Sequence, residues 1–487
     1  MRTSMLPLRA LLPRVILTSA MTLPALSGCA AQHGSESAAA GGAGGAGGSG
    51  ISIGSSGNGG NGGENPGLST GITTAGSGLG CKTTVSGVVH DPSGKLPLYN
   101  VVVYVPGEAL SPIAEGASCE TCDGNFSGKP IAAALSDAAG KFTMDVSVLS
   151  STKDVPVVVQ VGKWRREIKI PSIAACGDTV LDAGLTRLPK NKGEGNLPKI
   201  AMVRGGSDAL ECLIRKLGVD DAEFTTDSQN GRVHLYYIAG GTATSGTSQM
   251  AAGGALATSS ALFSDLTRMK TYDLIMMACP GSGSVIGKSP LAEHLNVRAY
   301  ADQGGRVFGS HYNLDHIRWD KYTPMNPYPD VVQFTSSAHG FADDYVATGI
   351  IDTSFPKGKA MSEWLVNVGG STVPGQFPIL DGEHSVDSVI NPNGQSWITT
   401  TDDKGHAGVV EYFSFPTPID GAACGRMVFS SLHVSSGTGD SGKVAFPNGC
   451  TSATLSPQEK ALAFMFFDLA SCVQPETGDP TPPPIPK

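Results

Sequence analysis

Lys199-Ile-Ala-Met-Val203 is a short apolar run behind a lysine, and the pattern downstream of it sets the architecture. Ser207 opens a helical stretch that closes at Leu217 and Gly218, with Asp208 at its start and Arg215 and Lys216 at its end, where the helix dipole favours each charge. Three further apolar runs, Val233 to Ile238, Tyr272 to Ala278 and Arg306 to Ser310, repeat the strand signal. Pro290 to Gln303 reads as a helix between the last two. Strands alternating with helices imply a parallel sheet with right-handed crossovers. A final helix starts at Ser456, with Pro457 at its first position, Glu459 completing a capping box, and Leu462, Met465, Phe466 and Leu469 as its buried stripe.

Upstream the period changes to two. Lys141 to Val148 alternates apolar and polar, Val101 to Val105 and Val157 to Val161 are β-branched runs, and Trp164, Arg166, Ile168 and Ile170 continue the alternation. Asp91-Pro-Ser-Gly94 and Asp137-Ala-Ala-Gly140 put an acid first and a glycine where a tight turn needs positive φ. These strands predict a β-sandwich of roughly 100 residues. Trp164 could be a sugar-stacking platform, but an alternating strand places it in the core.

The 487 residues are too many for one ordinary domain. A hydrophobic share of 40% supports true cores, which excludes wholesale disorder. The net charge of −9 becomes more negative once a leader bearing Arg2, Arg9 and Arg14 is removed, so nucleic acid is excluded as a general partner. Residues 1–28 read as a signal peptide: the apolar run Val15 to Leu26 is too short to span a bilayer permanently. Residues 29–80 read as a Gly/Ser-rich disordered tether, with 19 glycines between Ala31 and Gly80. Residues 81–190 form the predicted sandwich, 196–474 the α/β domain, and 475–487 an extended Pro-rich tail.

Leu26-Ser-Gly-Cys29 resembles the lipobox of bacterial lipoproteins. The resemblance implies acylation and cleavage at Cys29, an anchor in the lipid bilayer and, with Ala30 next, delivery to the outer membrane. An exported chain forms disulfides, and beyond Cys29 nine cysteines remain, so one stays outside intramolecular pairs. Cys81 and Cys176 bracket the sandwich and could tie its ends. Cys119-Glu-Thr-Cys122 has redox-motif spacing but lies in a Gly/Ser-rich loop, which favours a loop staple. Cys450 and Cys472 could clasp the last helix, with Cys424 competing.

Val85-Ser-Gly-Val-Val-His-Asp-Pro-Ser-Gly-Lys95, Asn100-Val-Val-Val-Tyr-Val105 and Asp137-Ala-Ala-Gly-Lys-Phe-Thr143 together resemble the carboxypeptidase regulatory-like domain. That implies a prealbumin-like sandwich acting as spacer, stabiliser or glycan contact, without chemistry of its own. Tyr272-Asp-Leu-Ile-Met-Met277, Tyr300-Ala-Asp-Gln-Gly-Gly-Arg-Val-Phe-Gly-Ser-His311 and Gly425-Arg-Met-Val-Phe-Ser-Ser-Leu-His433 resemble the class I glutamine-amidotransferase-like fold, in its trehalose-utilisation (ThuA-like) branch. The implied architecture is a three-layer, flavodoxin-like α/β unit. The amidotransferase elbow carries a thiol, whereas Gly309-Ser-His-Tyr-Asn313 has histidine there, so thiolate attack on glutamine is not expected. The ThuA-like branch carries histidines that map to His311 and His433, and sugar metabolism is implied.

Other motifs are weaker. Ser282 to Ser289 lacks the first glycine of a phosphate-binding loop, and an exported protein meets no ATP, so a surface turn is favoured. Gly439-Asp-Ser-Gly442 echoes a serine-protease segment without the rest of the machinery. His311, Asp315 and His316 could converge on a metal, but neither His-Glu-x-x-His nor a zinc-carboxypeptidase pattern occurs, and hydrogen-bonding roles are favoured. No metal or cofactor is expected. Cys279, at a strand's carboxyl end, is either a nucleophile with His311 as base or the odd buried thiol, the second being favoured. The expectation is a lipid-anchored envelope protein whose α/β domain binds a ligand, a glycan or an envelope protein, rather than catalysing. The alternative is a glycan hydrolase using His311 and His433, and convergence of those imidazoles in one open cleft would favour it.

Overall fold

The computed structural model describes residues 81–482, apart from 120–121, 123–125, 240–248, 282–285, 287–288, 319–326, 329, 435–443 and 452–453. The expectations for the leader, Cys29, the tether, the end of the tail, most of Ser282 to Ser289 and the 439–442 segment lie outside these residues.

The first unit holds strands β1 (Thr84–Val88), β2 (Val102–Pro106), β3 (Pro130–Leu135), β4 (Lys141–Asp145), β5 (Lys153–Val161), β6 (Trp164–Ser172) and β7 (Asp178–Val180). They form a three-stranded sheet ordered β4-β1-β7 and a four-stranded sheet ordered β3-β2-β5-β6. Alternation does what the sequence requires: in β4, Phe142 and Met144 are buried while Lys141, Thr143 and Asp145 are exposed. Val85, Phe142 and Met144 of one sheet share an apolar cluster with Val103, Val157, Val159 and Ile170 of the other. Gly94 and Gly140 take positive φ at the two turns, and Asp91 and Asp137 accept backbone N–H groups there.

The second unit adds β8 (Ile200–Arg204), β9 (Phe224–Thr225), β10 (Val233–Tyr237), β11 (Ala257–Thr258), β12 (Leu274–Met277), β13 (Arg306–Ser310), β14 (Val332–Gly340), β15 (Ala347–Ile351), β16 (Gln376–Ile379), β17 (Glu383–Val389), β18 (Gln395–Thr401), β19 (Ala407–Thr417) and β20 (Gly425–Ser430). One 11-stranded sheet runs β11-β10-β8-β12-β13-β20-β19-β18-β15-β16, with β9 also on β10. From β11 to β20 all pairs are parallel. Both faces of this half are covered: Ile200 and Met202 belong to the apolar cluster that includes the final helix, while Ala201 and Val203 belong to the one that includes Val297 and Tyr300 of the helix Leu291–Asp302. Continuous apolar strands such as Leu274-Ile-Met-Met277 follow from that double burial.

Beyond β20 the expectation of a parallel sheet fails. Pairs β20/β19, β19/β18, β18/β15 and β15/β16 are antiparallel. The turns after β18 and β19 are too short for a helical crossover, so each strand must return beside its predecessor. The stretch from β14 to β16 is part of the fold itself: β15 and β16 join the large sheet, and β14 pairs with β17 in a separate ribbon.

The two units are welded together. The final helix, Pro457–Ala470, has the expected capping box between Ser456 and Glu459. Its Phe466 and Phe467 pack on the buried Trp164, so that tryptophan is core. Gly162, at φ 52°, turns against the helix end so tightly that a Cβ would lie 1.8 Å from the Ala470 carbonyl oxygen. Lys163 donates to Asp273 across the junction at 2.7 Å, both side chains buried.

The disulfides join Cys81–Cys176, Cys119–Cys424, Cys122–Cys472 and Cys212–Cys450. Cys119 and Cys122 thus do not staple their own loop. Each reaches the second unit, because that loop lies across it, with the Ala117 N–H donating to the Lys270 carbonyl. Cys450 does not clasp the last helix: it bonds to Cys212 on the helix Leu210–Lys216. Cys279 is a buried thiol outside these pairs.

Candidate functional site

The five central parallel strands run in spatial order β10-β8-β12-β13-β20, so chain order reverses between β8 and β12. Ligands of such sheets sit at the carboxyl ends beside that reversal. Four strand ends meet there and deliver Asp208, Cys279, His311 and His433. The backbone after β8 must approach closely: a Cβ on Gly205 would lie 2.0 Å from the Cys279 carbonyl oxygen. Beyond β13, His311 takes φ 42°, a left-handed conformation that non-glycine residues rarely adopt. Asn313 holds that turn by donating its Nδ2 to the carbonyls of Met277, Ala278 and Ser310 at 2.9–3.1 Å.

The rings of His311 and His433 lie 5.2 Å apart between centroids. His433 Nδ1 is 3.1 Å from Asp381 Oδ1, and His311 Nδ1 is 3.5 Å from Glu383 Oε1. Both carboxylates come from β17 and the turn before it. Gln458, in the first turn of the final helix, fixes this turn: its Oε1 accepts from the Asp381 N–H at 3.0 Å, and its Nε2 donates to the carbonyls of Asp381 and His433.

Cys279 Sγ also faces His311 Nδ1, at 3.6 Å. Thiol and Glu383 therefore share one ring nitrogen. A three-membered relay needs them on opposite nitrogens, so Glu383 does not serve as the third member behind a Cys279–His311 pair.

Two more acids complete the cluster. Asp208 is buried and accepts the Val434 N–H at 2.9 Å. Burial pushes its carboxyl up to about 6, against the pull of His433 and a hydrogen bond from Ser310. Glu411, on β19, is fully buried; burial first and the Glu383 charge second hold its carboxyl well above the usual range.

The trio His311, Asp315 and His316 does not converge. His316 Nδ1 faces His294 Nδ1 at 3.1 Å, and Asp315 faces Arg318 at 3.6 Å. Among the described residues, two other groups have donor atoms within 4.8 Å of one another and could hold a metal ion: Cys279, His311 and His433, and His339, His384 and Asp402. A thiolate with two imidazoles, or two imidazoles with a carboxylate, suits zinc and its neighbours in the first transition series.

Sequence reading missed Asp381, Glu383, Glu411 and Gln458, which lie in a turn, on two strands and on a helix far along the chain, and it missed the second group entirely. One signal was present: seven of the ten histidines fall between His294 and His433. The site is enclosed, His311 and His433 being each 3% exposed.

A scan of the chain against protein-family models finds no match, and a search among curated proteins finds no significant one. Among solved structures the chain is similar to a ThuA-like protein from Bacteroides uniformis ATCC 8492, with 13% identity and a TM-score of 0.30, over 55% of this chain and 90% of that one. It is also similar to an exo-β-1,4-mannosidase from Opitutaceae bacterium strain TAV5, with 9% identity and a TM-score of 0.22, over 49% of this chain and 31% of that one. Likenesses this loose carry no argument about fold or activity.

Proposed function

We propose that this chain is an exported, lipid-anchored envelope protein whose α/β unit hydrolyses a small polar substrate of the glycan class, with His311 and His433 as its acid–base pair. One observation carries the reading: two imidazoles stand 5.2 Å apart at adjacent strand ends, each with a carboxylate at Nδ1. A carboxylate beside the ring orients each imidazole and stabilises its protonated form. One ring takes a proton from water while the other returns one to the departing oxygen. Asp208, its carboxyl raised by burial to about 6, stands beside the pair as a further proton-exchanging group, and burial also raises the Glu411 carboxyl.

The substrate class rests on the sequence resemblance to the trehalose-utilisation branch, as do the flavodoxin-like reading of the parallel half and the prealbumin-like reading of the first unit. The residues 81–190 act in this reading as a rigid presenting module, and acylated Cys29 holds the whole at the outer membrane. A second reading, binding without turnover, is favoured by the enclosure of both rings.

The two are separated by assaying sugar release from a panel of oligosaccharides and chromogenic glycosides. Hydrolysis by the native chain that falls about 10²- to 10⁴-fold in His433→Ala and in Asp381→Asn, with circular dichroism unchanged, supports the acid–base pair. Sugar binding without release, persisting in His433→Ala, supports the binding module instead.

A further inference from the structure

The second histidine group lies on the other side of β17. His339 on β14 stands directly opposite His384 on β17 in the antiparallel register, so their side chains share a face. Asp402, buried in the turn between β18 and β19, points Oδ2 between them: His384 Nδ1 and His406 Nδ1 are each 2.7 Å away and His339 Nε2 is 3.5 Å away.

Donor accounting makes this cluster unusual. A neutral imidazole has one N–H and one lone pair. His384 faces a carboxylate on both sides, Asp402 at Nδ1 and Asp387 at Nε2, the second at 2.8 Å. His339 faces the Ser337 carbonyl with Nδ1 at 3.0 Å and Asp403 with Nε2 at 3.1 Å. Each ring therefore has its outer nitrogen committed to donating, which leaves the inner lone pair aimed at carboxylate oxygens that also carry lone pairs. Either a second proton on each ring or a metal cation between them resolves that opposition, and three imidazoles gathered on one carboxylate favour the cation. An outer N–H held by a carboxylate or carbonyl, with the inner nitrogen turned to a shared centre, is the arrangement in which histidines ligate metals.

We propose that His339, His384 and Asp402, whose donor atoms lie within 4.8 Å of one another, hold one divalent zinc-like cation in a structural site, with His406, whose Nδ1 is 2.7 Å from Asp402 Oδ2, closing the set. Three imidazoles and a carboxylate are a nitrogen–oxygen set of the number that closes a tetrahedral zinc site. The ion would tie β14, β17 and the β18–β19 turn together. Glu383 and His384 are consecutive in a strand and so face opposite ways. Clamping His384 thus fixes Glu383 beside His311; that consequence rests on the acid–base reading, whereas the ion site does not.

The test is zinc binding by the chelator-treated full chain, read by atomic spectroscopy and titration calorimetry. Because Cys279, His311 and His433 could also take zinc, Cys279→Ser is measured in parallel. The expected result is one zinc per chain that Cys279→Ser retains, with affinity about 10- to 100-fold weaker in Asp387→Asn and zinc lost in His339→Ala/His406→Ala. His406 is exposed, so His406→Ala alone gives a variant that folds, and it should weaken binding too. No zinc on the native chain, or zinc lost in Cys279→Ser and kept in His406→Ala, would overturn the proposal. No sugar release by the native chain, with zinc bound as expected, would refute only the acid–base reading.

Discussion

Asp208 shows how much one side chain's surroundings decide. Its burial raises the carboxyl to about 6, so the unfolded chain ionises it at lower pH than the folded one does. Stability contributed by Asp208 is complete below about pH 4 and is lost as pH rises through 6. His234 and His294 act in the opposite sense: burial lowers both to about 4, so their contribution is present above about pH 6.5 and lost as pH falls toward 4. Asp208→Asn should therefore steepen the rise in stability between pH 4 and 6, by on the order of 3 kcal/mol across that window. Urea midpoints at several pH values check this; an unchanged slope would mean that Asp208 is not buried as a carboxyl. His311, His433 and Cys279 were legible in sequence because strand ends can be read from apolar runs. Their carboxylates were not, since Asp381, Glu383 and Glu411 look like ordinary acids on half-buried strands until the sheet brings them across.

At the scale of elements, what could be read was whatever carries its own local code. The capping box at Ser456, the turns at Asp91 and Asp137 and the apolar strands β8, β12 and β13 all do. The antiparallel half of the large sheet does not, because Gln395-Ser-Trp-Ile-Thr-Thr-Thr401 has no period that names its neighbour. Cysteine pairing was equally hidden beyond Cys81–Cys176, since the bonds of Cys119 and Cys122 follow from where one loop crosses the second unit. That crossing gives those bonds their weight. Cys122→Ser/Cys472→Ser should lower stability by about 2–4 kcal/mol, measured by denaturant unfolding, because the bridge ties the crossing loop to the chain just after the final helix, closing a further loop beside Cys119–Cys424. A cost near zero would mean the loop is held without it.

For the whole molecule, the first unit is more than a spacer. Trp164 on Phe466 and Phe467, Lys163 on Asp273, and Trp364 donating to the Pro97 carbonyl make one apolar and polar seam from both sheet systems. The final helix belongs to both, and through Gln458 it also sets the Asp381 turn, so rigidity of the seam reaches the imidazoles. Anchoring through Cys29 is checked by Cys29→Ser, which should move the protein from the membrane fraction to the soluble one; unchanged partitioning would remove the anchor from the proposal. The most direct test of the acid–base pair is turnover in ¹⁸O-labelled water. Sugar sampled before its anomeric oxygen exchanges with solvent should carry the label when the native chain releases it, and His433→Ala should release almost none. Absence of label from every product of the native chain, or equal labelling by both proteins, would contradict hydrolysis by His311 and His433.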